Sequence, residues 1–485
     1  MPPLTKTLFM SGQQCAKRLW YEVHQPLQGR RAVSMQLING REFDRIVQAA
    51  QQGTVISRDG GLVGAVEATQ RAFAAGDVEV LYQAAFRAGE WAAITDVLRR
   101  NGKGFDLIEN KVSTRVKEEH LPDAAFQALV LERAGIPLKR TYIGHVNNEF
   151  RLRGAGQYDG LVAERDVTAE VRKLKATIPR LADESLAVMA RPSAPEVVIG
   201  EHCDSPYPCP FMERCSASLP PGPEFPVSIL PRGGKVAAAL MAEGIHDLKS
   251  VPADRLRSEN HLRVRAATLS GKPYFDPRAT RKLRALKPPY LYLDFETLPL
   301  AVPRVIGTGP YEQCPFQWSL HIEEADGSVR HVEHLSANMS GGLEELAEAL
   351  LAALPSRGPL FVYNAPLERG ALTLLARLFP ALKPSFARVV RRIVDLLPVT
   401  RAAYYHPLMR GTWSIKQVIP TIDPSLTYDG LTEVKDGGSA QMAYLEFLEP
   451  QTSTARRAEL EARLKAYCGR DTYALVSLRR FLCQR

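Results

Sequence analysis

The chain has 485 residues, of which 45% are hydrophobic and 24% are charged. These values are typical of a globular protein of about three domains, and they exclude wholesale disorder, a collagen-like repeat and a coiled-coil rod. Lys and Arg number 62 against 53 Asp and Glu, so the net charge of +9 allows a polyanionic partner without requiring one. No apolar run approaches the ~20 residues of a membrane span, and the N-terminus lacks the apolar core of a signal peptide, so we expect a cytoplasmic protein without membrane contact.

The first part of the chain alternates helical and strand-like patterns. Apolar residues at helical spacing predict a helix near the start, and apolar runs separated by short turns with Gly and Asn predict strands. A second helix is expected to begin at an aspartate cap and to end at Gly135 and Pro137. The predicted elements are a helix at 34–52, strands at 78–86, 91–98 and 105–112, a helix at 123–133 and a strand at 141–146. This order predicts a mixed α/β domain.

Prolines divide the chain into three segments. Five prolines within 219–231 end the first domain, 1–220, and begin a small helical connector, 221–287. In the connector, the turn at Gly244 and Ile245 is similar to half of a helix-hairpin-helix, in which backbone N–H groups can bind a phosphate. A plain helical connector is the alternative.

The third segment, 288–485, begins at two adjacent prolines. Its patterns again alternate between strands and helices, and a long helix ends the sequence. The predicted elements are strands at 290–294, 316–322 and 329–335, a helix at 341–354, a strand at 360–363, a helix at 366–379, a short apolar stretch at 392–397 and a helix at 455–481. The whole chain is therefore predicted to be a multidomain α/β protein.

Two acids and a lysine fall on neighbouring strands of the first domain. Glu109 and Lys111 share one face of a strand, and a turn between antiparallel strands would bring Asp96 beside them. Carboxylates bind Mg²⁺ or Mn²⁺, which can activate water, and a lysine can hold that water or stabilise developing charge. The group predicts a phosphodiesterase site; a solvated pair of Glu109 and Lys111 is the alternative.

This arrangement resembles the PD-(D/E)xK motif of RecB-type nucleases. The resemblance implies a restriction-endonuclease-like core in which Asp96 and Glu109 hold the metal and Lys111 is catalytic. It also implies an active-site role for Gln127 on the following helix. Glu42 lies where these enzymes often carry a His or Glu ligand, and the resemblance extends the metal site to it.

Three of the seven cysteines lie within thirteen residues. Cys203, Cys209 and Cys215 are spaced x5 and x5, and Cys15 is the only other cysteine of this domain. An odd count in a cytosolic chain argues against a disulfide framework. Four thiolates can hold Zn²⁺ or a [4Fe–4S] cluster, and the wide spacing leans away from structural zinc, which uses pairs spaced x2 to x4. Buried cysteines without a ligand are the alternative.

The same layout is similar to that of the iron–sulfur RecB-like nucleases, which include AddB and CRISPR-associated exonucleases. In those enzymes one N-terminal cysteine and three cysteines after the nuclease core hold the ends of the domain together. The resemblance covers residues 4–218 and implies a structural [4Fe–4S] cluster at Cys15, Cys203, Cys209 and Cys215. The usual family spacing is x2 and then a longer gap, from which this chain departs.

A second group of acids lies in the third segment. Asp294 and Glu296 share one face of an apolar strand, and Glu368 follows a second apolar strand. Tyr467 and Asp471 are four residues apart and share one face of the last helix. Four carboxylates from three elements suit a two-metal site for phosphoryl transfer. The alternative is that the acids cap a strand and that the tyrosine packs in a core.

These motifs resemble those of DnaQ-like 3′–5′ exonucleases of the DEDD type, which have a ribonuclease H-like fold. Asp294 and Glu296 belong to a D-x-E-T sequence, residues 467–471 match Tyr-x-x-x-Asp, and Glu368 stands where the family has Asp. The resemblance implies that the four acids hold Mg²⁺ or Mn²⁺ and that the tyrosine positions the attacking water. Residues 414–416, Ser-Ile-Lys, are similar to a stretch between the second and third motifs.

The combination of both sites is similar to a bacterial family of RecB-type nucleases with a C-terminal DnaQ-like domain, and this resemblance spans nearly the whole chain. It implies a metal-dependent nuclease that hydrolyses phosphodiester bonds of DNA, at single strands or ends, in DNA repair, CRISPR or defence-related processing. The basic charge would attract phosphates. Two alternatives stay open: a nucleic-acid-binding subunit of a repair or defence complex with one or both sites inactive, and an exonuclease that acts on RNA.

Overall fold

The computed structural model describes residues 1–28, 34–76, 78–217, 220–428 and 430–484. The chain folds into two compact units: the first contains Met1–Pro220 and Leu300–Pro310, and the second contains Pro221–Pro299 and Tyr311–Arg485. Both units combine helices with β-sheets, so the predicted α/β multidomain class is confirmed. None of the described helices is both long and apolar enough to cross a membrane.

The described residues of unit 1 form nine strands and eight α-helices. The strands are β1 (Leu4–Thr5), β2 (Thr54–Val55), β3 (Val80–Tyr82), β4 (Ala85–Ala88), β5 (Trp91–Ile94), β6 (Val97–Asn101), β7 (Gly104–Lys111), β8 (Leu138–Val146) and β9 (Val162–Asp166). The helices are α1 (Lys6–Gln14), α2 (Ala16–His24), α3 (Met35–Ala50), α4 (Gly61–Ala74), α5 (His120–Arg133), α6 (Thr168–Leu174), α7 (Ile178–Met189) and α8 (Met212–Ala217).

A six-stranded mixed sheet in the order β2-β3-β6-β7-β8-β9 forms the centre of unit 1. β7 is antiparallel to β6 and parallel to β8, and α5 makes the crossover between β7 and β8. A smaller sheet, β1-β5-β4, contacts the same helix. There Phe126 of α5 stacks with Phe9 and with Trp91, at ring-centroid distances of 4.6 and 5.5 Å. Because α5 packs against both sheets, its side chains are fixed next to the end of β7.

A short segment from later in the chain completes unit 1. In Leu300–Pro310, the backbone N–H of Ala301 donates to Asn39 Oδ1 at 2.9 Å. The backbone N–H of Leu152 donates to the carbonyl of Thr308 at 3.0 Å. The segment is therefore anchored near both of its ends, although 79 residues of unit 2, Pro221–Pro299, separate it from Pro220 in the sequence.

The described residues of unit 2 form seven strands and ten α-helices. The strands are β10 (Tyr274–Phe275), β11 (Tyr290–Pro299), β12 (Gln313–Glu323), β13 (Val329–Leu335), β14 (Leu360–Val362), β15 (Ile393–Asp395) and β16 (Tyr404–Tyr405). The helices are α9 (Gly234–Ala242), α10 (Glu259–Ser270), α11 (Arg281–Arg284), α12 (Gly342–Ala353), α13 (Pro366–Leu378), α14 (Lys383–Arg391), α15 (Leu396–Ala403), α16 (Ile415–Val418), α17 (Gly437–Leu448) and α18 (Thr454–Gln484).

The main sheet of unit 2 has the order β13-β12-β11-β14-β15. β13, β12 and β11 pair antiparallel, whereas β11, β14 and β15 pair parallel. β11 is the central strand, and the long helix α18 packs against β11 and β12. Because side chains alternate along a strand, Asp294 and Glu296 project from the same face of β11.

Most predicted elements are present, and the differences have a structural cause. Each of the strands predicted at 78–86 and 91–98 is two strands, because β3 and β6 pair in the large sheet while β4 and β5 pair in the small one. Gln83, with a φ of +58°, makes the turn between β3 and β4. The helix predicted at 123–133 begins three residues earlier, at His120. The helices that were not predicted are α1, α2, α4, α6, α7, α8, α14, α15, α16 and α17.

The predicted connector, 221–287, lies within unit 2. Its α9 ends at Ala242, and Gly244, two residues further, has a φ of +79°. The N–H groups of Gly244 and Ile245 donate to the carbonyls of Met241 and Leu240 at 3.0 and 2.9 Å. These bonds close the end of the helix, so the two N–H groups are not free to bind a phosphate. The geometry favours a plain helical connector.

Candidate active sites

The predicted acids of unit 1 meet near the end of β7. Lys111 Nζ lies 2.8 Å from Glu109 Oε1 and 2.6 Å from Asp123 Oδ2. Gln127 Nε2, on α5, donates to Glu109 Oε2 at 2.7 Å and to Asp123 Oδ1 at 2.9 Å. Asp96 immediately precedes β6, and its Oδ2 accepts a backbone N–H of β7 at 2.8 Å. The structure therefore brings Asp96, Glu109, Lys111 and Gln127 together, as well as Asp123, which was not predicted.

The charges of this group largely balance. Burial acts to raise the pKa of Glu109, but Lys111 and Lys6 outweigh it, and this pKa lies well below its usual range. Burial acts to lower the pKa of Lys111, but Glu109 and Asp123 raise it well above its usual value. Burial and the charge of Glu109 raise the pKa of Asp96 to about 7. Near neutral pH, Glu109 is therefore ionised, whereas Asp96 titrates in this range.

Glu42 does not join this group, whereas Asp44 does. Glu42 forms an ion pair with Arg304. Burial and the charge of Glu109 raise the pKa of Asp44, and Asp44 lines a cavity of about 480 Å³ together with Asp96. Residues two apart on a helix point to different sides, so α3 cannot direct Glu42 and Asp44 to the same place. The order of motifs along the chain predicted an acid on α3, but it selected Glu42 and not Asp44, which lies on another side of the helix.

Lys6 is a second member that the sequence did not predict. It is the first residue of α1, and its Nζ lies 2.7 Å from Glu109 Oε1. Burial acts to lower its pKa, but Glu109 and Asp96 raise it above its usual value. Both carboxylate oxygens of Glu109 are thus engaged, Oε1 by two lysines and Oε2 by Gln127. A divalent cation at this site would compete with Lys6 and Lys111 for the charge of Glu109.

The four cysteines predicted to bind a cluster line one cavity of unit 1: Cys15, Cys203, Cys209 and Cys215. None of these four described cysteines forms a disulfide. Gln14 Nε2 donates to the carbonyls of residues 202 and 207, at 2.7 Å in each case, and so holds α1 against the segment that contains Cys203 and Cys209. Four thiols from both ends of the unit are a donor set that fits an iron–sulfur cluster or Zn²⁺.

The predicted acids of unit 2 converge from three elements. Asp294 and Glu296 lie on β11, Glu368 in the first turn of α13, and Asp471 on α18. The side chain of Glu368 is hydrogen-bonded to Asp294, and the charges of Asp471 and Glu296 act on Asp294 as well. The exposed fraction of the residue is 7% for Glu296 and 2% for Glu368, whereas Asp294 and Asp471 are half-buried. The structure therefore brings all four carboxyl groups together.

These carboxyl groups repel one another. Burial and the charges of Asp471, Glu296 and Glu368 raise the pKa of Asp294 well above its usual value. Burial and the charge of Asp471 raise the pKa of Glu296 to about 8. Burial, with a contribution from Asp395, raises the pKa of Glu368 to about 8. A divalent cation would neutralise the group, as oxygen-rich sites for Mg²⁺ and Mn²⁺ require.

One carboxylate oxygen of Glu368 also bears on whether a cation fits this site. Glu368 Oε2 is buried and accepts no hydrogen bond. Of the described residues, only Asp294, Glu296 and Cys468 bring three ligand atoms within 4.8 Å of one another. Buried polar atoms normally have a hydrogen-bond partner. A buried carboxylate oxygen that lacks one, next to such a group of ligand atoms, is therefore expected where a cation binds. The residues of unit 2 therefore fit a divalent metal.

Tyr467 lies beside the acids and is held by a lysine. Lys416 Nζ donates to Tyr467 Oη at 3.0 Å and to the carbonyl of Lys435 at 2.6 Å. Burial and the charge of Asp471 raise the pKa of Tyr467 above its usual value, so its hydroxyl stays protonated. Tyr428, which was not predicted, donates its hydroxyl proton to Asp471 Oδ1. Tyr428 lies in a loop before α17. No regular spacing connects it to the sequence motifs, so the sequence gives no signal for its place beside Asp471.

The comparison with protein families concerns unit 2. Residues 291–414 match a domain of unknown function, DUF2779. The DUF2779 region begins on β11 and includes Asp294, Glu296 and Glu368, whereas Tyr467 and Asp471 lie beyond its end. No curated protein matches the chain.

Proposed function

We propose that the chain is a metal-dependent nuclease that hydrolyses phosphodiester bonds of DNA, with its principal site in unit 2. The observation that carries the proposal is the meeting of Asp294, Glu296, Glu368 and Asp471, whose pKa values are all raised. Burying four mutually repelling carboxyl groups is costly unless cations neutralise them. The strand order β13-β12-β11-β14-β15, with three antiparallel strands followed by parallel ones, supports a ribonuclease H-like fold for this unit.

The roles of the residues follow from their positions. When bound, divalent metal at such a site would supply the activation of a water and the stabilisation of the leaving oxygen of the phosphodiester. Asp294, Glu296, Glu368 and Asp471 would hold this metal. Tyr467 keeps its proton and is fixed by Lys416 at 3.0 Å, so its hydroxyl can orient the attacking water by a hydrogen bond. Tyr428 fixes the orientation of Asp471.

Unit 1 supports a second nuclease-type site in this proposal. Glu109, Lys111 and Gln127 lie within one hydrogen-bonded group, and Asp96 accepts the backbone N–H of Asn110 beside it, which is the arrangement expected of a PD-(D/E)xK nuclease. The four-cysteine cavity would hold a [4Fe–4S] cluster that ties the N-terminal helices to the end of the unit. Because the cluster lies at the ends of the unit, its role would be structural.

A specific observation favours a second candidate for unit 1. Lys6 and Lys111 both bond to Glu109 Oε1, so the charge that a metal would neutralise is already neutralised by lysine. In this candidate, unit 1 binds nucleic acid without cutting it, and hydrolysis takes place in unit 2. The net charge of +9 supports a salt-sensitive attraction of phosphates in either case.

The test is a degradation assay on single-stranded DNA labelled at the 5′ or the 3′ end, with Mn²⁺, on protein prepared without air. Wild type, Lys111→Ala and Asp294→Asn are compared, and Glu348→Gln, an exposed position on α12, is the control. Two active sites predict that each active-site variant loses a different part of the product ladder. Loss of all products in Asp294→Asn alone supports the binding role of unit 1. Intact labels in wild type refute the proposal for DNA, and the same assay on labelled RNA then tests the alternative substrate.

A further inference from the structure

A cysteine lies among the acids of unit 2 and has no role in the function proposed above. Cys468 follows Tyr467 on α18 and is completely buried. Its Sγ and one carboxylate oxygen each of Asp294 and Glu296 all lie within 4.8 Å of one another. Two atoms bound to a single ion at 2.0–2.3 Å are at most about 4.6 Å apart, so these three atoms can reach one ion with little movement.

The neighbouring acids provide independent support for a cation at this place. Glu368 Oε2 is buried without a hydrogen-bond partner, and the side chain of Glu368 bonds to Asp294. Asp471 lies three residues after Cys468, so both side chains point to the same face of α18. The thiol therefore stands on the side of the helix that faces the carboxyl groups, not in the apolar core behind it.

We infer that Cys468 Sγ is a ligand of the cation held by Asp294 and Glu296, and that the site selects a thiophilic divalent cation such as Co²⁺ or Zn²⁺ over Mg²⁺. This inference rests on the proposed metal site of unit 2 and specifies its chemistry. Carboxylates suit hard cations such as Mg²⁺, whereas a thiolate favours softer transition metals. The thiol releases its proton to solvent as the metal–sulfur bond forms, and no atom changes its oxidation state.

Co²⁺ is the probe, because its bonds to thiolate give a charge-transfer absorption band that bonds to carboxylate do not give. Co²⁺ is added to the full-length protein with its four-cysteine cluster in place, and absorption and calorimetric binding are recorded together. The variants are Cys468→Ser and Asp294→Asn, and the matched control is Cys483→Ser, which replaces a half-buried cysteine of the same helix. A Cys15→Ser variant identifies any absorption that arises from the cluster cysteines.

The inference predicts the band in wild type, Cys483→Ser and Cys15→Ser, and its loss in both Cys468→Ser and Asp294→Asn. Replacing the sulfur ligand should weaken Co²⁺ binding by about tenfold or more while leaving Mg²⁺ binding unchanged. If Cys468→Ser does not fold, the other variants still assign the band. Its loss in Asp294→Asn but not in Cys15→Ser places the thiolate that produces it at the metal site of unit 2. Co²⁺ binding without the band overturns the role of Cys468 alone. A wild type that binds no divalent cation in unit 2 overturns the proposed function as well.

Discussion

Glu296→Gln should stabilise the protein when metal is absent and remove most of the stabilisation that metal provides. In the folded protein, burial and Asp471 raise the pKa of Glu296 from its ordinary value of 4.5 to about 8. The folded state therefore binds one more proton than the unfolded state across this range of pH. Stability without metal falls as the pH rises from 4.5 towards 8, by up to about 1.4 kcal/mol for each pH unit.

The size of the effect follows from the two pKa values. At pH 7, keeping Glu296 largely protonated in the folded state costs about 3 kcal/mol relative to the ionised unfolded chain. Glutamine has the same shape and does not ionise, so the variant avoids this cost. For a domain of 150–250 residues, about 3 kcal/mol corresponds to a rise of about 6–12 °C in Tm. At pH 4, Glu296 is protonated in both the folded and the unfolded state. The cost in wild type and the gain in stability of Glu296→Gln should therefore both disappear at this pH.

The assay is thermal unfolding of wild type and Glu296→Gln from pH 4 to pH 8, with chelator or with Mn²⁺. Glu348→Gln, on the exposed side of α12, is the control and should show no trend. Mn²⁺ at a hundred times its Kd should stabilise wild type by about 2.7 kcal/mol, and the variant by much less. A variant that is less stable than wild type at pH 7 in chelator, or a difference that does not change with pH, would refute the reasoning.

Three further results are expected. Lys6→Met should lower the free energy of unfolding in urea by about 2–3 kcal/mol, which is less than the full cost of breaking a buried ion pair because Lys111 still bonds to Glu109. The exposed control Lys173→Met should have no effect. Equal urea midpoints for Lys6→Met and wild type would contradict the pairing of Lys6 with Glu109. Tyr467→Phe should slow DNA hydrolysis about a hundredfold without changing Mn²⁺ affinity, and an unchanged rate would exclude a role of its hydroxyl. Cys203→Ser should lose bound iron and the visible absorption of the protein, while Cys483→Ser retains both; iron retained in the first variant would argue against the cluster.

The features that could be predicted are those with a local signal. Period-two alternation around Asp294 and Glu296 identified β11 and the face that both acids share. The spacing of Tyr467 and Asp471 identified one face of α18. In these cases a single element determines which side chains lie together, so a short window of sequence is sufficient.

The features that were missed depend on contacts between distant parts of the chain. Lys6 reaches Glu109 across 103 positions, and Tyr428 reaches Asp471 across 43. Asp44 joins the unit 1 site because the side of α3 that carries it faces β7. The order of motifs along the chain does not specify which side of a helix faces the site. Leu300–Pro310 belongs to unit 1 although it directly follows β11 of unit 2. None of these features has a periodicity or a spacing within its own segment.

The central claim is that the acids of unit 2 hold divalent metal, and titration calorimetry with Mn²⁺ tests it most directly. Wild type, Glu296→Gln and Glu109→Gln are titrated at pH 7, so that binding in each unit is distinguished. The account predicts that wild type and Glu109→Gln bind Mn²⁺ with the same affinity in unit 2 and that Glu296→Gln loses this binding. Binding that is unaffected by Glu296→Gln, or no binding by wild type, would contradict it.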